Sequence, residues 1–192
     1  MMQNLWQKKL KLNYSEDVLD IVQFGSSIIE GKEPNDIDIA VIFKNIPIKK
    51  QLIDAQKIKK QIQNYTQLPV DVKSFDLISF FDEANFAKES ILFYGKSIIS
   101  KEYFSKNLFG LIPKIQIYYS LKNLEKRDKV RFHYMLQGKK GSYGLIKKYG
   151  GRLLSPGVVE IFPEYEKIFT DSIEKNIKNF EIKKILIKGW NL

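Results

Sequence analysis

The sequence predicts an α+β protein in two parts. Three observations carry that reading. Strand-like runs at 19–24, 36–43 and 70–75 alternate with helical patterning at 48–65 and 80–94. All of the net charge, +10, falls in the second half of the chain. The length, 192 residues, suits one domain with a companion. The hydrophobic share of 44% and charged share of 28% are those of a folded protein. They exclude disorder, collagen and a coiled-coil rod as descriptions of the whole chain. Zero cysteines exclude disulfide scaffolds, thiolate zinc sites and cysteine nucleophiles. No apolar run reaches the roughly 18 residues that a spanning helix needs. The N-terminal stretch lacks a continuous apolar signal core. A cytoplasmic location without a membrane partner is expected.

Taken in order, Leu5 to Leu12 reads as a short helix. Leu19 to Phe24 reads as a strand that ends at Gly25-Ser26-Ser27. Residues 30–35, Glu-Gly-Lys-Glu-Pro-Asn, are turn-rich. Asp36 to Phe43 is β-branched and aromatic, so it predicts a strand. Ile48 to Tyr65 predicts a helix with Leu52, Ile53, Ala55, Ile58 and Ile62 on one side. Pro69 ends it, and Val70 to Phe75 predicts a second short strand. Phe80 to Tyr94 predicts a helix stopped by Gly95, and Lys96 to Ser100 a closing edge strand.

Near 100–107 the character changes from charge-balanced to basic, which sets the expected parts as 1–104 and 105–192. Residues 1–100 hold 13 basic and 13 acidic residues, and residues 101–192 hold 19 and 9. Pro113 is placed in a first helical turn, and Ile115 to Gln137 predicts a helix, with a break near Asp128. Gly138, Gly141 and Gly144 punctuate a basic loop. Leu145 to Tyr149 predicts a short helix, Val158 to Phe162 a strand, Pro163 to Asn176 a helix, and Phe180 to Ile187 a final strand.

The basic stretch from Lys122 to Arg152 is interleaved with aromatics, Phe132, Tyr134, Tyr143 and Tyr149 among them. Lysines on phosphates and aromatics on bases are the components of a nucleic-acid-binding face. The candidate contacts are Lys126, Arg127, Arg131, Lys139, Lys140, Lys147, Lys148 and Arg152. The alternative is a solvated lysine-rich surface with the aromatics in the core.

The segment from Phe24 to Ile42 carries the chemistry. Residues i and i+2 of a strand share a face, so Asp36 and Asp38 project together. Side-by-side carboxylates repel, and a hard cation such as Mg²⁺ relieves the repulsion. Asp71, among Pro69, Val70 and Val72, is a candidate third carboxylate. Three carboxylates can hold the two ions of an in-line phosphoryl transfer. Gly25-Ser26 can form an anion nest for phosphate, with Ser27 and Lys32 as further candidates.

This arrangement resembles the signature of the DNA polymerase beta-type nucleotidyltransferase superfamily, and especially the prokaryotic minimal nucleotidyltransferases. The likeness extends through Leu68-Pro-Val-Asp-Val72 and Ala87 to Ile99, and so covers about residues 15–100. It implies a mixed sheet flanked by helices over 1–104. A smaller, basic, mainly helical α+β domain over 105–192 completes the expected fold. The resemblance also implies Mg²⁺-dependent transfer of a nucleoside monophosphate from an NTP to an acceptor hydroxyl. In that role Gly25 and Ser26 would hold the triphosphate. Asp36 and Asp38 would bind Mg²⁺, with two ions during catalysis. Asp71 would complete the metal site and help activate the acceptor.

The charge of the second half favours RNA, such as a tRNA-like end, as acceptor. Two other readings stay open. One is an antitoxin-like module that binds or AMPylates a partner protein. The other is a catalytically inactive nucleic-acid-binding protein. Arg127 to His133 resembles the ribonuclease motif of HEPN helical domains. The chain turns glycine-rich within five residues of His133, unlike a helical bundle, so no ribonuclease role is assigned.

Overall fold

The computed structural model of the protein describes residues 4–188. It is α+β and contains two four-stranded sheets with several helices. The chain divides into two compact units. The first comprises Met1–Ile28, Lys32–Ile112 and Lys188–Leu192, and the second Ile29–Gly31 and Pro113–Ile187. The later crossing thus falls beyond the 100–107 change in sequence character. Phe104, 3% exposed, belongs to the apolar core of the first unit, with Val22, Phe24 and Phe80.

In the first unit, strands β1 (Val18–Phe24), β2 (Ile37–Phe43), β3 (Val70–Asp76) and β4 (Lys96–Ser97) form a sheet in the order β3-β2-β1-β4. β1 runs antiparallel to β2 and to β4, while β2 and β3 are parallel. A parallel pair needs a crossover, and helix α1 (Ile48–Gln63) supplies it. The near-continuous apolar run of β2 is explained by burial on both faces. Ile37, Ile39, Val41 and Phe43 face the core that includes Ala55, Ile58 and Ile62 of α1. Ala40 and Ile42 face a second core with Phe80, Ile91 and Phe104.

Four local expectations are corrected. The predicted stripe of α1 included Leu52 and Ile53, but these are 53% and 49% exposed. The buried phase is Gln51, Ala55, Ile58 and Ile62, a true 3.6-residue repeat. Gln51 is accommodated inside because its side-chain amide nitrogen, Nε2, donates to the Ile46 carbonyl (2.9 Å) and to Asp76 Oδ2 (3.1 Å). The helix expected over 80–94 is two helices, α2 (Leu77–Phe81) and α3 (Lys88–Tyr94). Between them the Asp82 and Asn85 side chains accept from the Ala84 and Ala87 amides, which diverts the backbone from a helical ladder. The Leu5–Leu12 segment is helical only in a 3-10 turn, Leu5–Gln7. Its continuation is tied to α1 and to Tyr65 instead, through Asn13 N to Gln61 Oε1 (2.6 Å) and Lys11 N to the Tyr65 hydroxyl (3.1 Å).

The fourth correction lies after helix α4 (Phe104–Phe109). Residues 115–137 are not one helix. Leu111–Tyr119 is strand β5, and only Lys126–Gln137 is helical, as α5. Buried Pro113, Ile115 and Ile117 alternate with half-buried Lys114, Gln116 and Tyr118, the two-residue period of a strand. Pro113 therefore sits in a strand, ahead of the register that pairs Ile115 to Tyr118 with residues Ile161 to Val158.

The second unit continues with α6 (Leu145–Lys148), β6 (Arg152–Ser155), β7 (Val158–Ile161), α7 (Glu166–Glu174) and β8 (Phe180–Lys188). Its sheet has the order β6-β7-β5-β8. β6 was not foreseen in the sequence. It forms a hairpin with β7 through Pro156-Gly157, with Gly157 at φ +94°. Proline followed by a positive-φ glycine is a two-residue turn signal. Helical and strand segments are of similar extent here, so the unit is balanced rather than mainly helical.

Candidate functional site

The first candidate site is built on strand register. Asp38 on β2 lies opposite Asp71 on parallel β3 and opposite Phe24 on antiparallel β1. Directly opposed residues share a face of the sheet. Asp36 lies just before β2, two residues from Asp38. Burial pushes the Asp38 carboxyl above its ordinary range. The Asp36 charge adds to the rise, Lys73 partly offsets it, and Asp71 raises it further. Asp36 and Asp71 thus both act electrostatically on Asp38.

Lys73 is a member of this cluster that the sequence reading missed. It stands two residues after Asp71 on β3, opposite Ala40, so it shares the face of Asp71 and Asp38. Its Nζ lies 5.6 Å from the centre of the Phe24 ring. The i, i+2 spacing from Asp71 was the available signal.

Gly25 begins the 3-10 turn Gly25–Ile28 with φ +75°. A Cβ built there would collide with the Asp38 carboxylate. Glycine is thus required twice over, by its left-handed backbone and by the close approach of turn to carboxylate. Ser26 is half-buried beside it. Ser27 is only 1% exposed, and its hydroxyl is used within the fold. It accepts from Gln23 Nε2 (3.0 Å) and donates to the Phe24 carbonyl (3.2 Å), which holds the turn. Lys32 is exposed on the connection before β2. Among the described residues, no three His, Cys, Asp or Glu side chains are grouped closely enough to hold a metal ion by themselves.

The second candidate site is the basic surface of the second unit. Lys126, Arg127 and Arg131 are exposed on α5, with Arg131 3.6 Å from Asp128. Lys139 and Lys140 are exposed on the following loop, and Lys147 and Lys148 on α6. The loop is closed by its glycines. A Cβ at Gly138 would strike the Ser142 carbonyl and the Gly144 amide, and one at Gly144 would strike the Gly138 amide. Three lysines lie near aromatic rings: Lys147 by Tyr143 (4.3 Å), Lys148 by Tyr149 (5.1 Å) and Lys139 by Tyr134 (5.8 Å).

Arg152 stands apart from these lysines in its bonding. Its Nε donates to Glu160 Oε1 at 2.8 Å, and Glu160 is 3% exposed. Gln116 donates to the other oxygen of Glu160 at 3.1 Å. A buried carboxylate demands such partners, so Arg152 has a structural task in the β6–β7–β5 ladder.

No family model, curated protein or solved structure matches this chain. Among the described residues, no helix is long and apolar enough to cross a membrane.

Proposed function

We propose that the protein is a Mg²⁺-dependent nucleotidyltransferase of the DNA polymerase beta type, acting on an RNA acceptor. One observation carries the reading: Asp38 and Asp71 face each other in register on parallel strands, with the Gly25 turn packed against Asp38. That is a carboxylate pair beside a turn whose backbone can approach phosphate closely. The Asp38 carboxyl, raised chiefly by burial and further by the charges of Asp36 and Asp71, supports it, because a half-buried carboxylate beside like charges gains from a cation. The donor set suits Mg²⁺, which takes one or two carboxylates and completes its shell with water and substrate phosphate.

Asp38 and Asp71 would hold the metal, with the charge of Asp36 beside them, and the metal would supply charge neutralisation at the transferring phosphoryl group. Gly25 and Ser26 bind the triphosphate, and Lys73 adds a cation on the same sheet face. The acceptor hydroxyl oxygen bonds to the α-phosphorus. The bond from that phosphorus to the bridging oxygen breaks, and pyrophosphate leaves. Asp71, exposed at the site, takes the hydroxyl proton. The basic surface of the second unit binds the acceptor, and its solvated lysines suit a polyanion.

The test is incubation with each labelled NTP, Mg²⁺ and total cellular RNA or lysate. Label in RNA, lost in Asp38→Asn, is the expected result. Label that persists in a folded Asp38→Asn protein overturns the assignment.

A second reading, binding of a partner protein, draws on exposed apolar side chains around α2. Ile78 is 74% exposed and Phe86 is 94% exposed, with Leu77 and Phe81 also exposed. A stoichiometric protein that co-purifies with the wild type and is lost in Ile78→Ser/Phe86→Ser would favour it.

A further inference from the structure

We infer that Tyr143 is a stacking residue for an unpaired nucleic-acid base, presented by the glycine-clasped loop between α5 and α6. The inference rests on the reading of this basic surface as the RNA-binding side, and it names which form of RNA is bound.

Tyr143 is 73% exposed, although tyrosine carries a large apolar ring. The loop geometry keeps it there. Gly138 and Gly144 approach so closely that neither can carry a side chain, and Gly138 has φ +89°. The Lys139 carbonyl accepts from the Ser142 amide at 2.8 Å, which turns the intervening residues back on themselves. The Gly138 amide is fixed to the Tyr134 carbonyl at the end of α5 (2.9 Å). The Lys148 amide is fixed to the Gly144 carbonyl at the start of α6 (3.0 Å). The loop is thus anchored at both ends, and it projects Lys139, Lys140 and Tyr143 into solvent.

Lys147 places its ammonium 4.3 Å from the centre of the Tyr143 ring. A cation at one face leaves the opposite face of so exposed a ring open. A base on that open face would meet an aromatic surface backed by positive charge, with two more lysines near for the flanking phosphates. Bases inside a duplex have both faces covered by their stacked neighbours, so the occupant is an unpaired base of a single strand.

The test is anisotropy titration of the full-length protein, without NTP, with labelled oligoribonucleotides. A single strand, the duplex formed from it and the matching single-stranded DNA are compared at fixed salt. Tyr143→Ala is expected to weaken single-strand binding by about tenfold or more, the range of one stacked base. Duplex binding and thermal stability should be unchanged, and Tyr143→Phe should bind as wild type. Equal losses with the RNA and DNA strands mean that the base alone is read. A loss confined to RNA means that the ribose contributes as well. Single-strand affinity within twofold of wild type in Tyr143→Ala overturns the stacking role and leaves the RNA reading intact. Failure of the wild type to bind any of the three overturns both.

Discussion

The two sheets of this protein use polar residues in opposite ways. In the first, β2 is buried on both faces except near its start, where Asp38 lies opposite Asp71 and Asp36 immediately precedes the strand. In the second, β5 alternates, and the unit's charges are mostly dispersed on solvated helices and a loop. The difference has a physical consequence. Burial raises the Asp38 carboxyl, and the nearby charges of Asp36 and Asp71 add to the rise. Solvated lysines act nearly independently and are screened by salt. The first arrangement suits chemistry at one point, and the second suits an extended polyanion. Glu160 is the exception in the second unit. It is a buried carboxylate answered at once by Arg152 and Gln116, so it serves the fold.

The comparison can be broken most sharply at Asp38 and Asp71. Asp38→Asn or Asp71→Asn should lower nucleotide transfer by roughly a thousandfold, the several kcal/mol that metal-held charge is worth. RNA affinity in a binding titration should not change. A parallel fall in RNA affinity would mean that the two regions are not separate in function.

Gly25→Ala should come next in size. It forces a Cβ toward the Asp38 carboxylate at a positive φ, so a loss of about 1–3 kcal/mol in denaturant melts is expected. Asp38→Ala in the same chain should recover part of that loss, and a double-mutant cycle measures it.

On the basic side, replacement of Lys139, Lys140 and Lys147 by alanine should reduce the salt-dependence slope of single-strand RNA binding by about 2. Transfer to saturating acceptor should be retained.

The smaller effects concern stability. Asp76 caps α2, where its carboxylate accepts from the Ser79 amide at 2.7 Å, and that bond holds its carboxyl below the ordinary range. Asp76→Ala should cost about 1 kcal/mol. The contribution of Asp76 is present above the unfolded carboxylate value and is lost as pH falls through the lower, folded one. Asp38 has the opposite sign. Its folded carboxyl binds its proton more tightly than the unfolded chain does, so stability falls as pH rises through that interval. Asp38→Asn should therefore raise the melting temperature at neutral pH without metal, while it removes transfer.

Much of the first unit was legible in the sequence. β-branched runs announced β1, β2 and β3, although β2 begins at Ile37 and leaves Asp36 just outside the strand. The opposition of Asp38 to Asp71 was not legible, because register between strands is set by tertiary pairing through the α1 crossover. The i, i+2 spacing put Lys73 on the face of Asp71, but its place near Asp38 depended on the same register. In α1, Leu52 and Ile53 misled because hydrophobicity alone does not fix helical phase. Gln51 occupies the inner face through hydrogen bonds that composition does not reveal. β5 was mistaken for helix because its short alternation adjoins a helical run that does begin at Lys126. Ser27 read as a phosphate contact, yet its hydroxyl is satisfied within its own turn.

The threading of the chain sets how the protein can be cut. Ile29–Gly31 are counted with the second unit, yet the residues on either side, Ile28 and Lys32, are counted with the first. The Glu30 amide donates to the Glu164 carbonyl at 2.7 Å. A fragment ended at Ile112 would keep this tripeptide and lose its anchor, in the very connection that joins Gly25-Ser26 to Asp36. The units are therefore not interchangeable modules. A single crossover cannot exchange one unit for another without cutting the Ile29–Gly31 connection off from its partner at Glu164.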